Sequence, residues 1–393
     1  MRIAIVGSGV VGLLTAVSCA SAGHQVSLFE QADIPSSAAT SHDRHRVVRG
    51  LHLGDQAKTT AAVLAHHKWV ALQHLLSARF YERVGALTVL PTDTVLPTED
   101  PVQARRMLAD AGSRSRLLGP DDLAAHYPQI RFPAGASAVL EFQAGVLLAD
   151  RVLAACAAWL RLYSHTELHP RRRAVGIDVD GPAVRLADGD VVRADAVLIA
   201  VGPWTRGLLS PELADQLVLH RQSVLYCEVP SEQVAAWGDT PAIASLGVRS
   251  GAWLVPPVAD TPLKLSAASA CRTVAELEDT ATPLRWRDHL VEVFSELLPG
   301  FRGDWLFGAR DCYYLARAAG GDAMVAALGG SVLSFAACGG GSFKFAPLIA
   351  ESLAQRLTGA VPAPTGFDPV DTVVDASPAA IGRRPAGLVK GLS

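Results

Sequence analysis

The first thirty residues constrain the fold more than any other stretch. Arg2 to Val6 is a short apolar strand, Val10 to Ala22 an apolar helix closed by Gly23, and Val26 to Phe29 a second strand ending on Glu30. Together they form one βαβ unit of about thirty residues. Between the first strand and the helix lies Gly7-x-Gly9-x-x-Gly12. The glycines serve three separate ends, namely a tight turn, close approach of backbone to a diphosphate, and close packing of helix on strand. The diphosphate then sits on the positive end of the helix. Glu30 stands eighteen positions beyond Gly12, where a carboxylate accepts hydrogen bonds from ribose hydroxyls. The three glycines alone would be weak; strand, helix and acid in order point to a dinucleotide site.

The rest of the chain excludes several classes. Half of its 393 residues are apolar and 19% are charged, the balance of a globular enzyme with a large core. A net charge of −3 gives no electrostatic case for nucleic acid or an anionic membrane. The glycines interrupt the N-terminal apolar run, which is therefore not read as a secretion signal. No unbroken apolar stretch is long enough to span a bilayer. Cys19, Cys156, Cys227, Cys271, Cys312 and Cys338 are scattered, without metal-ligand or disulfide spacing. The histidines, including His66 and His67, form no metal set either, and a cytoplasmic location is expected. Further along, strands are expected at Ala86–Leu90, Ala138–Phe142, Val175–Val179, Ala183–Ala187, Ala196–Val201 and Val332–Ala336. Helices are expected at Val102–Ala111, Asp150–Tyr163, near Arg285–Leu298, and at Pro347–Leu357.

Three later segments resemble the sarcosine oxidase branch of the glutathione-reductase-like, D-amino-acid-oxidase-type flavoproteins. They are Ser41-His42-x-x-x-Arg46-x-x-Arg49, Ala194 to Thr205 with its turn Gly202-Pro203-Trp204, and Gly339-Gly340-Gly341-Ser342-Phe343-Lys344-Phe345-Ala346-Pro347. With the N-terminal unit they cover nearly the whole chain in the family's order. The resemblance implies an α/β protein with FAD as cofactor. A discontinuous Rossmann-like FAD-binding domain (1–83, 149–218 and 321–376) would be roofed by a mixed-sheet α+β substrate domain (84–148 and 219–320). A loosely held tail (377–393) would follow.

The resemblance also assigns residues. Arg49 and Lys344 fall at the positions that clamp a substrate carboxylate, a forked guanidinium and an ammonium on one anion. Lys264 falls at the oxygen-activating lysine. The chain has only five lysines, so two matches are informative. Cys312, in Cys312-Tyr313-Tyr314, falls where a thiol is joined covalently to the flavin; Arg310 would favour its thiolate, and Cys338 is the rival. Tyr314 and Trp253 would line the substrate pocket. Ala268 and Gly341 stand where the family carries histidines, which implies a roomier, less polar pocket and a substrate bulkier than sarcosine. The implied activity is oxidation of a secondary amine or amino acid, with O2 as electron acceptor. A dehydrogenase or desaturase of the same fold is the alternative. A flavin monooxygenase, hinted at by Gly321-Asp322-Ala323, fits less well because a strand-like segment follows. A flavoprotein kept only for binding is disfavoured by Arg49, Lys264 and Lys344.

Overall fold

A computed structural model describes residues 1–90, 100–247, 250–320, 323–360 and 373–375. The expected tail, together with Gly321 and Asp322, lies outside the described residues. The N-terminal unit forms as its sequence dictates, with strand Arg2–Val6, helix Val10–Ser21 and strand Gln25–Phe29 in parallel register, Ile3 opposite Val26 and Val6 opposite Phe29. These strands are apolar on both faces because helices cover one side and further chain the other. The central strand also pairs in parallel with Ala196–Ile199, all four of whose residues are buried.

Among the described residues this sheet has seven strands. Their order is Val373–Asp375, Met324–Gly329, Val332–Ala337, Ala196–Ile199, Arg2–Val6, Gln25–Phe29 and Thr166–His169. Only the Met324–Gly329 and Val332–Ala337 pair is antiparallel. One core packs Val10–Ser21 against the helices Ala149–Leu162 and Ala346–Leu357. Burying a leucine such as Leu13 or Leu153 there contributes roughly 1.5–3 kcal/mol.

A second sheet, nine-stranded among the described residues, is mixed. It runs Cys271–Val274, Leu217–Cys227, Leu263–Ala267, Ala252–Val255, Ala242–Gly247, Ala86–Leu90, Ser137–Glu141 and Ser115–Leu118. The long strand Leu306–Arg317 pairs with Leu217–Cys227 along its whole length. The helix Leu284–Leu297 covers this sheet through Leu290 and Phe294. A small sheet of Arg46–Val48, Gly145–Leu147 and Tyr81–Glu82 stitches the two regions together. The expected helices form within a residue or so, at Pro101–Asp110, Ala149–Leu162, Leu284–Leu297 and Ala346–Leu357. A long helix, Gln56–Leu75, is capped by the Asp55 side chain, which accepts from Lys58 N at 2.8 Å; the sequence pattern did not show it.

Candidate active site

One cavity of about 850 Å³ runs from Glu30 to Lys344, within the usual size of a cofactor-and-substrate site. At the Glu30 end the backbone makes the site. Gly7 has φ +105°, and a Cβ there would overlap the carbonyl oxygen of Ala200 and lie 2.8 Å from its carbon. A Cβ on Gly12 would overlap the carbonyl oxygen of Gly7, so this glycine sets how closely helix approaches strand. Gly9 differs. Within the chain its Cβ would meet only Ser41 Oγ, at 3.4 Å, yet it lines the cavity. Its bare backbone is therefore explained by something that approaches from the cavity side. The Glu30 carboxylate is buried and accepts from Ser8 N (2.8 Å), Ser8 Oγ (2.9 Å) and Ala32 N (3.1 Å). Two oxygens carry about four acceptor sites, which leaves room for a hydroxyl. Gly202 and Trp204 line the same end in the turn Gly202–Leu208, which Thr205 Oγ closes by donating to Gly202 O at 2.7 Å. Ser41 Oγ accepts from Val10 N at 3.1 Å and so ties the next loop to the start of the helix. Glycine cradle, helix start, acid and cavity length all fit a dinucleotide cofactor.

At the other end side chains from distant elements converge. Gly339 (φ +59°) and Gly340 (φ +74°) turn the chain, and a Cβ on Gly340 would sit 3.0 Å from the Tyr314 ring. Gly341, Ser342, Phe343 and Lys344 follow along the cavity wall, with Ser342 Oγ donating to Cys338 O at 2.6 Å. Trp69, from the unforeseen helix, donates Nε1 to Lys344 O at 2.8 Å and stacks on Phe343 at 5.9 Å. Arg49 lines the same end and donates to Leu51 O at 2.5 Å. Behind it the buried Glu141 accepts from Gly50 N (2.7 Å) and Leu51 N (3.0 Å), fixing the backbone that presents Arg49. Burial holds the Glu141 carboxyl above its ordinary range, against the pull of those amides, Arg49 and Lys344. Burial depresses Arg49. His52, on the same wall, is pushed well down by burial and then by Lys344 and Arg49, so it stays neutral. Two cations facing a cavity beside a neutral imidazole suit a carboxylate ligand.

Between these ends Arg46, Cys312, Cys338, Tyr314 and Trp253 line the cavity. Burial pushes both thiols up, although Arg46 opposes it at each and Lys264 and Arg310 also oppose it at Cys312. Tyr314 stacks on His220 at 5.1 Å and its hydroxyl lies 3.3 Å from Cys271 Sγ.

Four expected residues stand off the lining, Gly12 among them because it packs against Gly7. His42 contributes its carbonyl to Arg310 at 2.9 Å. Ala268 is exposed and crowds Gly251. Lys264 is buried beside Trp253, 5.7 Å from its ring, and pairs with the Asp43 carboxylate. Sequence reasoning missed Asp43 and Glu141. Gly50 beside Arg49 was the available signal for Glu141, since a Cβ there would lie 2.8 Å from its Oε2. Asp43 was visible only as an acid among cations in the Ser41–Arg49 loop. Among the described residues no three ligands cluster to hold a metal, and no helix is long and apolar enough to cross a membrane.

Such a fold and cavity define a dinucleotide-cofactor oxidoreductase whose second sheet supplies part of the reacting end. The chain belongs to the FAD dependent oxidoreductase (DAO) family, which it matches over residues 2–356. It is 27% identical over 218 residues to the human peroxisomal sarcosine oxidase, covering 53% of this chain and 52% of that one. It is 23% identical over 210 residues to the monomeric sarcosine oxidase of a Bacillus strain, covering 52% of each. The chain thus spans about half the length of the curated relatives it matches. Among solved structures, NikD, an amino acid oxidase of nikkomycin biosynthesis, shares the fold with a TM-score of 0.74 at 18% identity, covering 90% of this chain and 93% of that one. A modified fructosyl peptide oxidase from Aspergillus nidulans gives 0.75 at 20%, covering 92% and 91%.

Proposed function

We propose that this chain is an FAD-dependent oxidase of a secondary amine or amino acid that carries a carboxylate and is bulkier than sarcosine. The observation that carries it is the convergence of Arg49 and Lys344, from opposite ends of the chain, at one end of a cavity whose other end is a dinucleotide cradle. FAD, when bound, supplies the two-electron acceptor for oxidising C–N to an imine and passes the electrons to O2 as H2O2. The protein's share is orientation: Arg49 and Lys344 fix the carboxylate, while Trp253 and Tyr314 wall the space beside it. Residues 1–83, 149–218 and 321–376 would form the FAD-binding domain, and 84–148 with 219–320 the substrate domain. The relatives named as sarcosine and amino acid oxidases support the reaction class.

Cys312 is the proposed site of a covalent link to the cofactor, with three cations beside its thiol. Acid precipitation should leave yellow colour in the wild-type pellet and none in Cys312→Ala. Colour confined to the wild-type supernatant defeats the linkage, and release by Cys338→Ala alone moves it. The second reading, a dehydrogenase or desaturase, draws on Lys264 being clasped by Asp43 away from the cavity lining. An anaerobic screen of amines and amino acids for bleaching of the flavin band, followed by mixing with air, decides. Bleaching by a carboxylate-bearing amine and rapid return of colour are expected; bleached protein that air leaves colourless favours the second reading.

A further inference from the structure

Lys264 is the ionisable side chain whose surroundings most need an explanation. It lies on Leu263–Ala267, a strand whose five residues are all buried, and is itself 1% exposed. A lone ammonium in such a place sheds its proton, because burial disfavours the charged form. Here Nζ donates to Asp43 Oδ2 and, at 3.3 Å, to His45 O. It lies 5.7 Å from the Trp253 ring and 5.9 Å from the Tyr226 ring, whose faces are negative.

Asp43 is equally committed. It accepts from Tyr226 Oη at 2.6 Å and from Arg44 N at 2.7 Å, and pairs with Arg46 Nη2 at 3.1 Å. One carboxylate therefore answers two cations, and the trio of Lys264, Arg46 and Asp43 carries a net charge of +1. The other titratable groups facing it are His45, Tyr226, Cys312, Cys338 and Arg310. Burial keeps His45 neutral, at about 3, and pushes the Tyr226 phenol and Cys312 thiol up. Arg310 is occupied by the carbonyls of His42 (2.9 Å) and Ser37 (3.0 Å). Asp43 is the one acid among these groups, and it does not line the cavity.

Resting on the oxidase reading above, we propose that Asp43 is a positioning residue that keeps Lys264 protonated, and thereby sustains the oxygen half-reaction at alkaline pH. Superoxide character develops only in that step, and a fixed cation in a dry site stabilises it. Burial still draws the Lys264 ammonium below its ordinary value; the Asp43 carboxylate opposes that pull and Arg46 adds to it. With Asp43 in place reoxidation should therefore vary less between about pH 6 and pH 9 than without it. Asp43→Asn keeps the shape, deletes the counter-charge and leaves Lys264 beside Arg46. A fully buried lysine can fall by about 3–5 pH units, which brings its titration into that window. Reoxidation of the reduced variant should then decline roughly 10²-fold from the acid to the alkaline limb. The effect on anaerobic reduction by substrate should be at least tenfold smaller.

A second readout needs no turnover. In Asp43→Asn, Lys264 binds its proton less tightly folded than unfolded. Between the two pKa values the unfolded chain holds the extra proton, so stability rises with pH up to about 10. The double variant Asp43→Asn/Lys264→Met lacks the titrating group. The melting temperature of the single variant should therefore climb relative to the double variant between about pH 7 and pH 10. A flat reoxidation profile in Asp43→Asn, with parallel melting curves for the two variants, overturns the proposal. Wild-type enzyme that air leaves reduced overturns the oxidase reading and the oxygen half of the proposal. The melting comparison still decides whether Asp43 sets the charge on Lys264.

Discussion

The two ends of the cavity are built by different means. Around Glu30 the chain's own backbone shapes the site: three glycines, one helix start and one acid, all within thirty residues. Around Arg49 and Lys344 the site is an assembly of side chains from a loop, a C-terminal turn, a helix carrying Trp69 and a strand carrying Glu141. At Gly7 and Gly12 the first kind of site tolerates no added atom, whereas the second can lose one group and keep its shape. Substitutions at the two ends should therefore fail differently.

The largest effect is expected at the glycine end. Gly12→Ala drives a methyl into the Gly7 carbonyl, where only backbone can yield. The purified chain should carry little or no FAD, read as flavin absorbance per chain. A fully yellow Gly12→Ala protein would erase the contrast between the ends. Next is Lys264→Met, which keeps volume and deletes charge. Reoxidation should slow about 10²–10³-fold, and anaerobic reduction should fall by less than tenfold. Stopped-flow measurement of both half-reactions checks this; loss of reduction alone would move Lys264 to substrate binding. Arg49→Met should weaken a carboxylate substrate by about 10- to 150-fold, the worth of charge-assisted hydrogen bonds at roughly 1.5–3 kcal/mol. A decarboxylated analogue should lose much less, and equal losses would make Arg49 a fold residue. The smallest effect is expected where the two ends meet. Ser41→Ala removes the bond to Val10 N, at a cost of about 1 kcal/mol. Melting should fall by about 1–3 °C with FAD content unchanged.

The same contrast explains what could be read in advance. The βαβ unit was legible because its determinants are local and each residue type has a single geometric reason. Arg49, Lys344, Cys312 and Tyr314 were found only through resemblance, and they do meet on one cavity. The helix Gln56–Leu75 escaped because its inward stripe includes Thr59 and His66, polar gaps in the apolar period. Burial and Lys344 hold His66 neutral, at about 3, so it does belong inside. Asp43 pairs with a residue 221 positions away. No periodicity encodes such a pair: strand register sets Tyr226 opposite Lys264, and the distant loop then brings Asp43 to both.

Along Leu306–Arg317 neighbouring positions serve opposite sides of the sheet. Cys312 and Tyr314 face the cavity. Asp311 instead takes Arg221, Arg272 and Thr282. A single inserted or deleted residue would exchange the two sets, putting a carboxylate in the cavity wall and a thiol among the arginines. The buried ions on the far side thus act as a ratchet tooth, holding the strand to one alignment. This stretch should accept conservative replacements at either face while rejecting any change in its length.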